Sequence, residues 1–252
     1  LRHRAARYGP DLVLLPFVLN DVRGNEPTLE QDPSRPYFHV EAGELVLDEG
    51  FLATQLHREE RRPFTRFKRW LRMHSRIVQL LYEVRTIPMR LARRETQGGA
   101  LDDPVFSPPV APEWTRAWAM TEILLLEIVK EAHAQGADFL LAVVSDGRQV
   151  HPDPAVRAAR RHELGVPDLF YYEDRVMAFA AKEGIPAIGL SRPFRAHAEA
   201  TGRCLHGFEN AYPCDGHWNP LGHRLAGELF ADEICGMLSG SRELESGRDR
   251  AR

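Results

Sequence analysis

Two stretches constrain this chain more than any others: "DLVLLPFVLND" (Asp11–Asp21) and "ADFLLAVVSDG" (Ala137–Gly147). Each is a nearly unbroken apolar run closing on a polar pair, Asn20-Asp21 in the first and Ser145-Asp146 in the second. A run without alternation fits a strand buried on both faces, the situation found in parallel sheets. "IPAIGLS" reads as a third, shorter strand. Helical patterns separate them. "EWTRAWAMTEILLLEIVKEAHAQG" is amphipathic and can end at Gly136, and "VPDLFYYEDRVMAFAAKEG" leads through a helix to Gly184. "NPLGHRLAGELFADEICGML" predicts a helix with Asn219 as N-cap and Pro220 at its first position. Alternation of strand and helix predicts an α/β fold with a parallel sheet and helices on both faces. Pro16 lacks an amide donor, so a bulge or local irregularity is expected in the first strand.

Between Arg23 and Pro112 the pattern loosens into an insertion. "YFHVEAGELVLDEG" alternates around Gly43 and predicts a hairpin outside the main sheet. "FTRFKRWLRMHSRIVQLLYEVRTI" places Phe67, Leu71, Ile77, Leu80, Leu81 and Val84 near helical spacing. It lies in a strongly basic segment, residues 58–94, which is a solvated helical face or a surface for an anionic membrane or polyanion. "TQGGALDDPVFSPPVAP" is a loop by composition. Leu1–Tyr8 reads as a helix feeding the first strand. Ser239–Arg252 is charged and rich in Gly and Ser, which predicts a disordered tail. The expected organisation is a single domain over residues 1–238, carrying an insertion over 23–112.

At 252 residues with 43% apolar and 27% charged side chains, the chain has the composition of a globular protein. A net charge of −3 gives no global reason to expect nucleic acid as a partner. No apolar run approaches a membrane span. The three cysteines, Cys204, Cys214 and Cys235, have neither zinc-ligand spacing nor a disulfide-framework count. A Cys204–Cys214 bridge beside the Asp-Gly-His segment is one option. No metal or organic cofactor is implied, and nothing names a compartment.

Ligands of such sheets bind beyond the carboxyl ends of the strands. Asn20 and Asp21 follow the first strand, Ser145 and Asp146 the second, and the loop Cys204–Trp218 follows the third. Within that loop, "DGHWN" sets Asp215 two residues before His217. In an extended segment residues i and i+2 share a side. A carboxylate there can accept from one imidazole nitrogen, fix the tautomer and leave the other as a base. The bland alternative is a histidine satisfied within a capping loop.

"PDLVLLPFVLNDV" resembles the block of SGNH/GDSL hydrolases in which an Asn closes a strand and donates to the oxyanion. "DGHWNPLGHRLAGEL" resembles their last block, where Asp and His precede the final helix. The resemblance is specific at these two places and poor across the insertion. It implies a flavodoxin-like α/β/α sandwich, with Asn20 in the oxyanion hole, Asp215 as orienting acid and His217 as general base. The family's usual last spacing is Asp-x-x-His; the shorter Asp-x-His followed by Trp resembles the alginate-acetyltransferase-like branch.

The family's nucleophile sits in a Gly-Asp-Ser block, and no Gly-Asp-Ser occurs in these 252 residues. Ser145 is the one serine placed at a strand end, yet it lacks the flanking glycines of a tight elbow and is read as lining the site. The reading is therefore truncation: the first two βα units are missing, and the fragment itself is expected to be inactive. The expected function is a serine-type hydrolase of ester bonds, such as an acyl or O-acetyl esterase, acting on a small-molecule, carbohydrate or lipid-like ester. The alternatives are a sugar O-acetyltransferase and a non-catalytic membrane-surface or polyanion-binding module.

Overall fold

A computed structural model describes residues 5–54, 58–59, 62–97, 101–208 and 213–249. The protein is α/β. Three parallel strands, β1 (Leu12–Phe17), β4 (Asp138–Val143) and β5 (Ala187–Gly189), form one sheet in the order β1-β4-β5. A separate antiparallel pair is made by β2 (Tyr37–Glu41) and β3 (Glu44–Asp48). The helices are α1 (Leu19–Gly24), α2 (Pro27–Glu30), α3 (Pro63–His74), α4 (Arg76–Gln97), α5 (Pro112–Ala134), α6 (Pro154–Leu164), α7 (Tyr171–Glu183), α8 (Ser191–Thr201) and α9 (Pro220–Asp249). The chain divides into two compact units, Leu1–Leu19 with Leu126–Arg252, and Asn20–Leu125.

In the first unit, burial follows position in the sheet. The central strand β4 is buried from Phe139 to Val143, whereas β1 is only partly covered. β1 runs regularly from Leu12 to Phe17, with Pro16 in register with Ala142, so the expected bulge is absent. The reason is geometric. The carbonyls of Asp11 and Phe17 accept from Asp138 and Val144 on the β4 side, so the odd-numbered residues of β1 bond inward. Pro16 is even-numbered, and its missing donor falls on the outer edge, which pairs with no strand among the described residues, so it costs no ladder bond there. Helix α7 packs on β4 and β5. A core of Val150, Leu190, Phe194, Ala198, Leu205 and Ala226 joins α8 and α9, with Trp218, Leu221 and Leu225 packed against it.

Asn219 caps α9 as its sequence position predicts. Its Oδ1 accepts from the amides of Leu221 and Gly222, both at 3.0 Å, while its Nδ2 donates to the Cys204 carbonyl at 2.8 Å. The helix continues to Asp249, through the stretch whose composition predicts a tail; residues 250–252 lie outside the described residues. Of the expected helix Leu1–Tyr8, residues 1–4 also lie outside, and Ala5–Tyr8 form a single 3₁₀ turn.

In the second unit the hairpin forms as the alternation predicts. Ala42 and Gly43 both have positive φ, 52° and 88°, which suits a two-residue turn. The basic helical segment is broken at Ser75, whose extended backbone ends α3, and Ser75 Oγ accepts from the Val78 amide at the start of α4. Val22, Val105, Phe106, Trp114, Ala117 and Trp118 are buried. Arg23 ties the elements of this unit together, donating to Asp102 at 2.7 Å and bonding Glu30.

Candidate active site at the carboxyl edge of the sheet

Because β1, β4 and β5 are parallel, Phe17, Val143 and Gly189 end on one edge. The segment after β4 leaves that edge through Ser145, Asp146 and Gly147. The loop from Cys204 to Trp218 closes onto it. A Cβ built on Gly147 would stand 2.5 Å from the Cys214 carbonyl oxygen and 2.9 Å from Asp215 Cα, so glycine alone permits this approach. Residues 209–212 of the loop lie outside the described residues.

Four ties fasten the loop. Cys204 and Cys214 form a disulfide with Cα atoms 5.0 Å apart. His206 and Trp218 make an antiparallel bridge, and Gly207 donates to the His217 carbonyl at 2.9 Å. The His206 imidazole is the third. Its Nδ1 lies 2.7 Å from the Gly216 carbonyl, which can only accept, so Nδ1 carries the proton. Nε2 is then the acceptor for the Ser145 hydroxyl at 3.0 Å. Finally, Trp218 Nε1 donates to the same Ser145 Oγ at 3.4 Å. Ser145 and His206 are 3% and 2% exposed, so this serine–histidine pair is buried. Burial pushes the His206 imidazole below its ordinary range. The Gly216 bond and the charges of Asp146 and Asp215 oppose that shift, and His217 adds to it.

Behind the Ser145 segment lies a second buried polar network. Gln149 Nε2 donates to the Leu169 carbonyl at 2.7 Å; its Oε1 accepts from the Asp146 amide at 3.1 Å and from Ser191 Oγ at 2.8 Å. Tyr172 bonds the Val144 carbonyl, and burial raises its phenol well above the ordinary range. Glu173 accepts from the Ser191 amide at 2.8 Å, and burial raises its carboxyl despite that bond. These bonds fix where the chain emerges from β4.

Asp215 and His217 are both exposed in the fastened loop. They do not form the extended i, i+2 pair expected from their spacing, because Cys214 and Gly216 have φ of 64° and 79°. Asp215 Oδ1 accepts instead from the Gly216 amide at 2.8 Å, and among the described residues no hydrogen bond joins it to His217. The bridge from His206 to Trp218 turns Trp218 inward, and alternation turns its neighbour His217 outward. Asn20 lies in the first turn of α1, three residues beyond β1, and is exposed; it belongs to the second unit.

Sequence reasoning missed His206. The available signal was its position two residues after a cysteine that closes the same loop. A second histidine, His151, stands with Cys204 and Cys214 such that their ligand atoms fall within 4.8 Å of one another. With the two sulfurs joined, that trio is reduced to one imidazole, whose Nδ1 already accepts from the Asp153 amide. A cavity of about 130 Å³ lies between α6 and α8, lined by Arg157, Arg161, Arg195 and Phe170 among others. Its arginines are engaged: Arg157 and Arg195 with Glu199, and Arg161 with the Pro167 carbonyl.

Compared with protein-family models, with curated proteins and with solved structures, the chain matches none.

Proposed function

We propose that this chain carries the histidine half of an SGNH-type acyl-transfer site, with His217 as general base in the hydrolysis of an ester. One observation supports the reading above others. An exposed imidazole is carried by a loop that a disulfide, a strand bridge and a buried Ser145–His206 bond hold against the carboxyl edge of a parallel sheet. That edge is where open α/β folds place their chemistry. A base must reach substrate, and a rigid support keeps its position. His217 meets the first requirement and its loop the second, whereas the buried Ser145–His206 pair meets only the second.

In this reading a serine hydroxyl attacks the ester carbonyl and His217 takes its proton. The proton then passes to the leaving alkoxide, and water releases the acyl group by the reverse route. Asp215 is the acid beside the base; its Oδ2 makes no hydrogen bond among the described residues and can accept from an imidazole. The family resemblance assigns the oxyanion donor to Asn20, and one preorganised donor is worth about 2.7–4 kcal/mol. No Gly-Asp-Ser occurs in these 252 residues, and β1 pairs only with β4 among the described residues. The outer edge of β1 offers Leu12 and Leu14 for pairing, and Pro16 ends it. Transfer to a sugar hydroxyl instead of water uses the same acyl-enzyme.

Fluorophosphonate labelling of the intact gene product tests the reading. One adduct is expected, on a Gly-Asp-Ser serine, and it should vanish in His217→Ala. An adduct on Ser145, or none at all, is incompatible with it.

A further inference from the structure

The helices α3 and α4 present an apolar surface that nothing among the described residues covers. On α4, Ile77, Leu80, Leu81 and Val84 follow the i, i+3, i+4, i+7 spacing of a buried helix stripe, yet they are 73%, 64%, 65% and 57% exposed. On α3, Phe64, Phe67 and Trp70 lie within about a third of the helix circumference at its 3.6-residue period, and all are more than half exposed. Phe67 stacks on Trp70 at 6.1 Å and Trp70 on His74 at 4.7 Å, making an aromatic ledge along the helix. Scattered exposed apolar side chains need no explanation, but two stripes on consecutive helices do.

The charges around these stripes identify what fits them. Residues 62–86 hold seven cations (Arg62, Arg66, Lys68, Arg69, Arg72, Arg76 and Arg85) and one acid, Glu83. On α3 the basic residues Arg66, Arg69 and Arg72 recur every three positions, on the side opposite the aromatic ledge. Lys68 lies over the Phe64 ring at 4.4 Å and Arg72 over the Tyr82 ring at 4.5 Å, so cation and apolar surface are contiguous. A helix pair with aromatic and aliphatic faces, seven cations and a single acid over residues 62–86 is suited to an anionic bilayer surface, apolar side in the acyl boundary and cations among the headgroups. A second copy of the chain fits poorly, since a two-fold contact would set seven cations against seven. A polyanion would engage the cations and leave the stripe in water. Among the described residues no helix is long and apolar enough to cross a membrane, so the contact is interfacial.

We infer that α3 and α4 form a docking surface for anionic phospholipid membranes. This inference does not depend on the esterase reading. It is tested by co-sedimenting the full chain with vesicles of phosphatidylcholine alone and of equal phosphatidylcholine and phosphatidylglycerol, at low and high salt. Binding to the anionic vesicles at low salt is expected, weakening as salt rises. Arg66→Gln with Arg69→Gln should reduce it about 25-fold, at roughly fivefold per cation. Leu80→Glu with Leu81→Glu should reduce it by at least about tenfold, because apolar burial is lost. Both pairs are at the surface, and an unchanged thermal unfolding midpoint verifies that each variant folds. The inference is overturned by any of three results: no sedimentation with anionic vesicles at low salt, binding that survives Leu80→Glu/Leu81→Glu and follows charge alone, or a stable dimer that covers the stripe and ignores vesicles.

Discussion

The Oγ of Ser145 lies 3.0 Å from Nε2 of His206, and both groups are buried. The bond joins the end of β4 to the loop that carries His217, across 61 residues of sequence. In another setting the same two side chains, with a carbonyl behind the imidazole, would pass for a catalytic dyad. Here they act as a fastening. Ser145→Ala leaves a buried imidazole nitrogen without its donor and should destabilise the protein by about 1–3 kcal/mol. His217→Ala, at an exposed position, should change stability by no more than about 0.5 kcal/mol. Urea unfolding of the two variants compares them directly.

The disulfide is the second fastening. Cys204 and Cys214 are separated by 10 residues, and closing a loop of that size restrains the unfolded chain by about 2–3 kcal/mol. Cys204→Ser with Cys214→Ser, or dithiothreitol on the parent, should lower the unfolding free energy by that amount. Cys235 is a free exposed thiol and should react with a maleimide before any reduction.

His206 makes stability depend on pH. Its folded imidazole is held below the ordinary value of 6.5 by burial, so between the folded value and 6.5 the unfolded chain binds the extra proton. The contribution is complete above 6.5 and is lost as pH falls from there toward the folded value. Glu173, raised by burial, acts in the opposite sense: its contribution is present below 4.5 and is lost as pH rises through its elevated folded value. Unfolding free energy of the parent minus that of His206→Asn, followed from pH 8 to pH 5, should therefore decline with falling pH. A flat difference would show that the imidazole titrates alike in both states.

Gly147 sets how closely the loop can approach the sheet. Gly147→Ala places a methyl 2.5 Å from the Cys214 carbonyl oxygen, and backbone on both sides must move. A loss of about 1–3 kcal/mol is expected, together with loss of the proposed esterase activity where the nucleophile is present, because the His217 loop is displaced. Circular dichroism alongside the activity assay distinguishes the local shift from global unfolding.

The sheet was legible because its signals are local. Unbroken apolar runs mark β1 and β4, Asn219-Pro220 marks the start of α9, and Ala42-Gly43 marks the hairpin. Pro16 was misjudged because its cost depends on which edge its nitrogen faces, and that follows from strand order. The break at Ser75 is set by one residue's backbone inside a continuous helical pattern. The site was legible only as a loop at the right edge. Spacing placed Asp215 and His217 together, but with the positive φ of Cys214 and Gly216 they are not an extended pair, and no hydrogen bond joins them among the described residues. His206 and the Gln149–Tyr172–Glu173 network are assembled by contacts between distant segments, which no periodicity encodes.

In the proposed mechanism the exposed His217 moves the proton and the buried His206 holds its loop in place. Hydrolysis of p-nitrophenyl acetate by the intact gene product, measured for His217→Ala and Ser145→Ala with folding verified, tests it most directly. His217→Ala should lower kcat/KM by about 10⁴-fold or more, and Ser145→Ala by no more than about tenfold. The reverse pattern, with Ser145→Ala inactive and His217→Ala near the parent rate, would contradict the account and move the chemistry to the Ser145–His206 pair.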